Sequence, residues 1–214
     1  MNKFWLQLPT TKARLLKLAE NQALLGFLMV FATVFLFLSC ENSPYAPKPR
    51  GYFRIALPES EYKNYNPPCP FSFEMPASSV IGNDTYTQTN PCWFNIEYPP
   101  FKAKIHFSYK ELNTGLLYRL TEDAREMVFK HAQKANGIKE SLIDLPEQHV
   151  YGKAWKIDGR DVASPFQFYV TDSLHHFLRG SVYFNVIPNN DSLEPVIGFI
   201  INDIDHLVQT LQWK

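Results

Sequence analysis
Near the end of the chain, Asp172-Ser173-Leu174-His175-His176 holds an acid, a nucleophile and two bases within five residues. These are the groups of a hydrolase. A triad works only when three groups converge in space around a defined imidazole tautomer and an oxyanion hole. Chain neighbours rarely do. Ser173 has no G-x-S-x-G elbow around it, which would expose a nucleophile on a strained turn. Asp and Ser in turns hydrogen-bond their own backbone, and His175 and His176, if extended, point to opposite faces. The segment therefore reads as a turn, with a hydrolase using Asp172, Ser173 and His175 or His176 as the competing hypothesis. The chain has no phosphate loop, dinucleotide fingerprint, H-E-x-x-H pair or EF-hand loop, so neither a cofactor nor a metal is expected.

A second set of residues could recognise a partner. Arg179, Ser181, Tyr183 and Asn185 alternate along one strand-like run, and period two puts them on one face. Arg and Tyr are favoured at the centres of interfaces. With Arg50 and Arg54 from the other end of the domain, they form a candidate surface: Arg54, Asp172, Ser173, His176, Arg179 and Tyr183. The alternative is an ordinary solvated face, or one covered by a helix with the arginine paired. A third reading is a ligand-binding cleft built on Trp93, Trp155 and Tyr183.

Cys40 carries chemistry of another kind. Lys3, Lys12, Arg14 and Lys17 precede an uncharged apolar run from Ala23 to Leu38, which stops at Ser39-Cys40. A charged region, an apolar region and a small residue before the cleavage point make an export signal. A cysteine directly after that small residue is where a bacterial lipoprotein signal is cut and the thiol acylated. Phe37 stands where such signals usually carry Leu. The alternative is an uncleaved anchor, but sixteen apolar residues fall short of the roughly 20 that span a bilayer. Residues 1–39 are thus a signal peptide. Residues 40–49 are a lipidated tether, kept extended by Pro44, Pro47 and Pro49, and residues 50–214 are one domain.

Cleavage leaves about 175 residues, the size of one domain. It removes Lys3, Lys12, Arg14, Lys17 and Glu20 from 21 basic and 21 acidic residues, so the remainder has three more acids than bases. Nucleic acid is not an expected partner. Cys69 and Cys92 remain, each at the start of a strand-like run. In an oxidising compartment they either pair or stay as two buried thiols. If the two runs were direct antiparallel neighbours, the cysteines would lie at opposite ends, too far apart to bond. A disulfide therefore needs another arrangement.

The positioning elements follow from periodicity. Residues 61–70 are rich in turn formers, and Ser78 to Asn90 is a polar loop. The runs begun by Cys69 and Cys92, 69–76 and 92–99, are short strands. Ala103, Ile105, Phe107 and Tyr109 alternate with Lys102, Lys104, His106, Ser108 and Lys110, giving a strand with one wet face. Leu116 to Asn136 has a helical apolar stripe that includes His131, with Asn136-Gly137 as its stop. From His149 the pattern is a meander, with a tight Asp158-Gly159 hairpin, a strand over Phe166–Thr171 and another over Phe177–Ile187. Gly180 marks a bulge or close packing. A last helix covers about 195 to 212. The order predicts an α+β domain, a mostly antiparallel sheet with two main helices packed on it. The PsbP/Mog1-like group is its nearest fold analogy.

Several segments, in order and spacing, resemble one family. They are Pro47-Lys-Pro-Arg-Gly-Tyr-Phe-Arg-Ile55, Cys69-Pro-Phe-Ser-Phe-Glu74, Ile105-His-Phe-Ser-Tyr-Lys110 and Thr171-Asp-Ser-Leu-His-His-Phe-Leu-Arg-Gly180, with Asp203-Ile-Asp-His-Leu and Trp213-Lys214 at the end. Over residues 47–214 the chain resembles the gliding-motility lipoprotein GldD family of Bacteroidetes. The resemblance implies a cell-envelope lipoprotein required for gliding, acting with type IX protein secretion machinery. It implies no catalytic residue and no enzymatic reaction. Expected partners are the outer-membrane and periplasmic lipoproteins of that machinery, and the membrane itself through the N-terminal lipid. After Cys40 only Glu41 is acidic before Asn42-Ser43, a poor match to acidic surface-export tags. The expected location is the outer membrane, with the domain facing the periplasm.

Overall fold
The computed structural model describes residues 51, 54–59, 61–83, 90 and 92–214, and residues 22, 25–29 and 31 ahead of them. Residues 1–51 and 52–214 form separate units. In the first, residues 25–29 are helical. The tether, Cys40 and Arg50 lie outside the described residues.

The second unit contains two antiparallel sheets. A small one is formed by β1 (Tyr62–Tyr65), β2 (Phe71–Pro76) and β10 (Gln212–Trp213), in the order β1-β2-β10. The large one is formed by β3 (Val80–Asn83), β4 (Phe94–Tyr98), β5 (Ala103–Glu111), β6 (Gly137–Leu145), β7 (Val150–Asp158), β8 (Phe166–Thr171) and β9 (His176–Phe184). Its order is β3-β4-β5-β9-β8-β7-β6. Two helices, α1 (Leu116–Phe129) and α2 (Asn190–Gln209), complete the unit. The expected α+β architecture is present.

Alternation assigns each strand residue to a face. One face of the large sheet buries Phe94, Ile96, Tyr98, Ile105, Phe107, Phe168, Val170, Leu178 and Val182. The small sheet closes over it with Phe71, Phe73 and Met75, and α2 with Ile200, Ile204, Leu207 and Val208. The opposite face gathers Trp155, Ile157, Tyr169 and Phe177 under Ala124 and Val128 of α1. Gly180 falls on the first face, where a Cβ would run into the Phe168 ring. Close packing, rather than a bulge, explains that glycine: its pairing continues unbroken on both sides.

The disulfide follows from the two-sheet arrangement. β2 pairs with β1 and β10, not with β4. The strands are in different layers, so their starting ends can meet. Cys69 and Cys92 are bonded, with Cα atoms 5.7 Å apart. A loop closed across 23 residues stabilises by about 3 kcal/mol through the unfolded state.

Several sequence expectations need correction. The stripe ending at Asn136 is not one helix: α1 stops at Phe129, and His131, Ala132 and Lys134 then bond three residues back, the tighter turn that often ends helices. Gly137 opens β6 instead of capping a helix. The turn-rich stretch contains β1, the polar loop contains β3, and neither these nor β6 is evident from periodicity. Asp158-Gly159 does not make a two-residue hairpin. A loop of residues 159–165 separates β7 from β8, closed by Ile157 N–H donating to Pro165 O. Val162 is buried in it, and Asn190 Nδ2 donates to Gly159 O and Val162 O. α2 starts five residues earlier than expected, with Pro195 inside it, and β9 ends at Phe184.

Candidate functional site
The turn between β8 and β9 is held by its own side chains. Asp172 Oδ1 accepts the backbone N–H groups of Leu174, His175 and His176 at 3.0, 2.8 and 2.7 Å. Thr171 Oγ1 accepts the N–H of Ser173 and donates to His176 O. Ser173 sits at φ 71, a left-handed conformation uncommon outside glycine. Burial pushes the Asp172 carboxyl up, but the three N–H donors outweigh it and hold it below its ordinary range.

The two histidines diverge. His175 is exposed, its Nδ1 3.4 Å from Asp172 Oδ2. His176 turns inward, its Nδ1 2.8 Å from the Tyr109 hydroxyl and its ring stacked on Trp213 at 5.0 Å. Burial lowers the His176 pKa, favouring neutral imidazole. Burial, with the charges of Glu111 and Asp172, pushes Tyr109 up to about 12. Among the described residues, the Ser173 hydroxyl bonds neither histidine. The arrangement is a capped turn with a packed histidine.

An open groove of about 600 Å³ lies beside this turn, lined by Glu147, Gln148, His149, Asp172, Leu174 and Trp213, among others. His149 in its wall is left-handed, at φ 54, capping the short 3₁₀ turn Pro146–Gln148. The Trp213 indole N–H donates to His149 O. Sequence reasoning missed this wall. Its turn matches the one at Pro99–Lys102, likewise with a left-handed fourth residue, but the two segments share only their first proline, so the sequence carried little signal.

The expected recognition surface is not one surface. His176 falls on the face with Leu178 and Val182, whereas Arg179 and Tyr183 fall on the other, since parity separates them. Arg54 is exposed ahead of β1, and among the described residues no contact joins it to Arg179 or Tyr183. The face bearing Arg179 is only partly wet. A polar row crosses it from Asn95 through His106, Ser181 and Gln167 to Trp155 and Glu140. Asn95, Ser181 and Gln167 are buried in that row. Arg179 Nη2 donates to Gln167 Oε1 at 2.6 Å, and Tyr183 meets His106 edge to face. His131 lies near the arginine, its pKa lowered by burial first and then by the Arg179 charge.

The proposed aromatic cleft also divides. Trp155 is 2% exposed, and its indole N–H donates to Glu140 Oε2. Trp93 donates to Tyr109 O beneath the Lys110 ammonium. Trp155 therefore cannot stack on a ligand.

A part-buried polar network ties α2 to the small sheet. The Tyr62 hydroxyl donates to Asp203 Oδ1, the Tyr62 ring stacks on His206 at 3.6 Å, and His206 Nε2 lies 2.7 Å from Glu74 Oε2. Tyr98 Oη and Asp203 Oδ2 are buried without a hydrogen-bond partner. Burial raises the pKa of both; the Asp203 charge adds to the rise at Tyr98, while the Tyr62 hydroxyl and the His206 charge oppose the rise at Asp203.

No helix among the described residues is long and apolar enough to cross a membrane. No curated protein matches the chain. The solution structure of cyanobacterial PsbP (CyanoP) from Synechocystis sp. PCC 6803 is similar at TM-score 0.42 and 10% identity, over 76% of this chain and 98% of that one. The model of the gliding motility lipoprotein GldD family matches residues 42–213, so this chain belongs to that family of lipoproteins.

Proposed function
We propose that this chain is a non-enzymatic assembly and stability factor for the gliding complex and the associated type IX secretion machinery. An acylated Cys40 holds it to the outer membrane, and residues 40–49 let the domain reach partners in the periplasm. The partners are other envelope lipoproteins of that machinery. Several acyl chains anchor firmly, because each buried methylene adds about 0.8 kcal/mol.

The observation that carries this reading is the family match over residues 42–213. The turn geometry supports the non-enzymatic part, since Asp172 Oδ1 already holds three backbone N–H groups and His176 is engaged by Tyr109 and Trp213. Cross-linked cells, extracted with lipid retained, test it by mass spectrometry of what co-purifies. Secretion and gliding lipoproteins are expected, and Cys40→Ala should lose them. Recovery of abundant envelope proteins alone would sink the proposal. Ser173→Ala is expected to leave gliding and secretion intact; loss of either, at normal protein abundance, would favour hydrolysis.

A further inference from the structure
Among the described residues, the two edges of the large sheet differ. β3, at one edge, has four residues. β6, at the other, has nine, paired to β7 without interruption from Gly137 to Leu145. An edge strand exposes a row of backbone donors and acceptors, and proteins usually shield it with proline, a bulge, a short strand or charged side chains. β6 has no proline and no bulge; of its charges, Lys139 falls on the face away from α1 and Glu140 is tied to Lys153 and Trp155. Leu142, at its middle, is 73% exposed.

Beside that edge, Leu142 lines a groove of about 380 Å³ with Leu117, Thr121, Tyr151 and Tyr169. It lies on the face that α1 covers, so alternate side chains of a strand added to β6 would reach it. We propose that β6 is a docking edge for an extended segment of another protein, which adds as an eighth strand with an apolar residue opposite Leu142 and a Lys or Arg opposite Asp144.

Backbone chemistry specifies a strand, and charge specifies its sequence. On the α1 face β6 presents Ile138, Glu140, Leu142 and Asp144. Glu140 is already engaged, accepting from Lys153 Nζ at 2.7 Å and Trp155 Nε1 at 2.8 Å. Asp144, exposed two residues beyond Leu142, is the acid left for a partner. Opposite-charge pairs across strands stabilise, and like charges directly opposite repel. The incoming strand therefore carries a basic residue two positions from the apolar one.

A second copy of this chain fits poorly. Twofold pairing of β6 with itself, centred on Leu142, sets Glu140 opposite Asp144. Centred on Glu140, it sets that carboxylate against its twin. Centred on Ser141, it sets Lys139 against Ile143 and Glu140 against Leu142. Each register opposes like charges or a charge and an apolar residue.

That the partner belongs to the cell envelope rests on the proposed function; the edge chemistry does not. A photoreactive residue at position 142 of the full-length protein, activated in growing cells, tests the docking edge. The same group at position 187, where Ile187 is 90% exposed, reports non-specific capture. The expected product is one protein segment, captured only from 142, with a Lys or Arg two positions from the captured apolar residue. Asp144→Lys should lower its yield about fivefold at unchanged protein abundance. Capture of a second copy, equal capture from both positions, no product, or a yield indifferent to Asp144→Lys would each overturn the proposal. Specific capture without recovery of gliding and secretion lipoproteins on co-purification would instead leave the edge standing and remove the proposed function.

Discussion
The two faces of the large sheet are built to different rules. One is closed by aromatic packing: Phe94 stacks on Phe107 at 4.9 Å and lies near Tyr65, Phe71 and Phe73. A disulfide fixes the corner where the small sheet meets it. The other carries a polar row across six strands, and α1 packs over Trp155 and Tyr169. The larger of the two buried clusters lies on the first face. The second combines a helix-covered patch with a β6 edge unpaired among the described residues, where substitutions have little packing to disrupt.

Phe94→Ala tests this contrast most severely. It removes a buried ring from the centre of the aromatic stack and should cost about 3–5 kcal/mol, measured by denaturant unfolding. A loss below 1 kcal/mol would mean that the first face is not the stabilising one. Cys92→Ser should cost about 3 kcal/mol. Reducing agent should bring the unmodified protein to the same thermal midpoint and leave the variant unmoved.

Asp203 is the exception on the dry face, a carboxyl 2% exposed whose pKa burial raises. A carboxyl raised on folding favours the folded state while protonated, and that contribution is lost as pH rises through the raised value. Asp203→Asn should therefore stabilise the domain, more at pH 7 than at pH 4, by thermal melts at both. A gain of equal size at the two pH values would show that charge burial is not the cause. The smallest effect belongs to the second face: Leu142→Ser should change stability by no more than about 0.5 kcal/mol. A larger loss would show that Leu142 is part of the core.

Legibility followed the same division. Ala103–Glu111 alternates cleanly because one face is buried, and the runs after Cys69 and over Phe166–Thr171 are dense in aromatic residues, so their strands were evident. β6 was not, because Leu142 and Ile143 are adjacent and point to opposite sides, one exposed and one half-buried. Its apolar pattern has no single period. The span of α1 was overestimated because Ala135 remains on the buried stripe through turns that bond three residues back. The Asp172 turn was legible from local chemistry, since Asp in a turn bonds nearby backbone, but Thr171 rather than Ser173 supplies the second side chain, and the two meet backbone groups two to five residues away.

By itself, the sequence determined what depends on near neighbours: the leader ending at Cys40 as an expected lipidation site, the capped turn at Asp172, the faces of the long strands and the α+β order of elements. Tertiary structure alone decided what depends on distant segments. Placing β2 and β4 in different layers brought Cys69 to Cys92, and placing β6 at an edge left Leu142 beside a groove. The same parity that defines each face put His176 and Arg179 on opposite sides of one strand, but only the packed layers decided which side is dry. Pairing partners tens of residues apart set those layers, and local periodicity has no term for them.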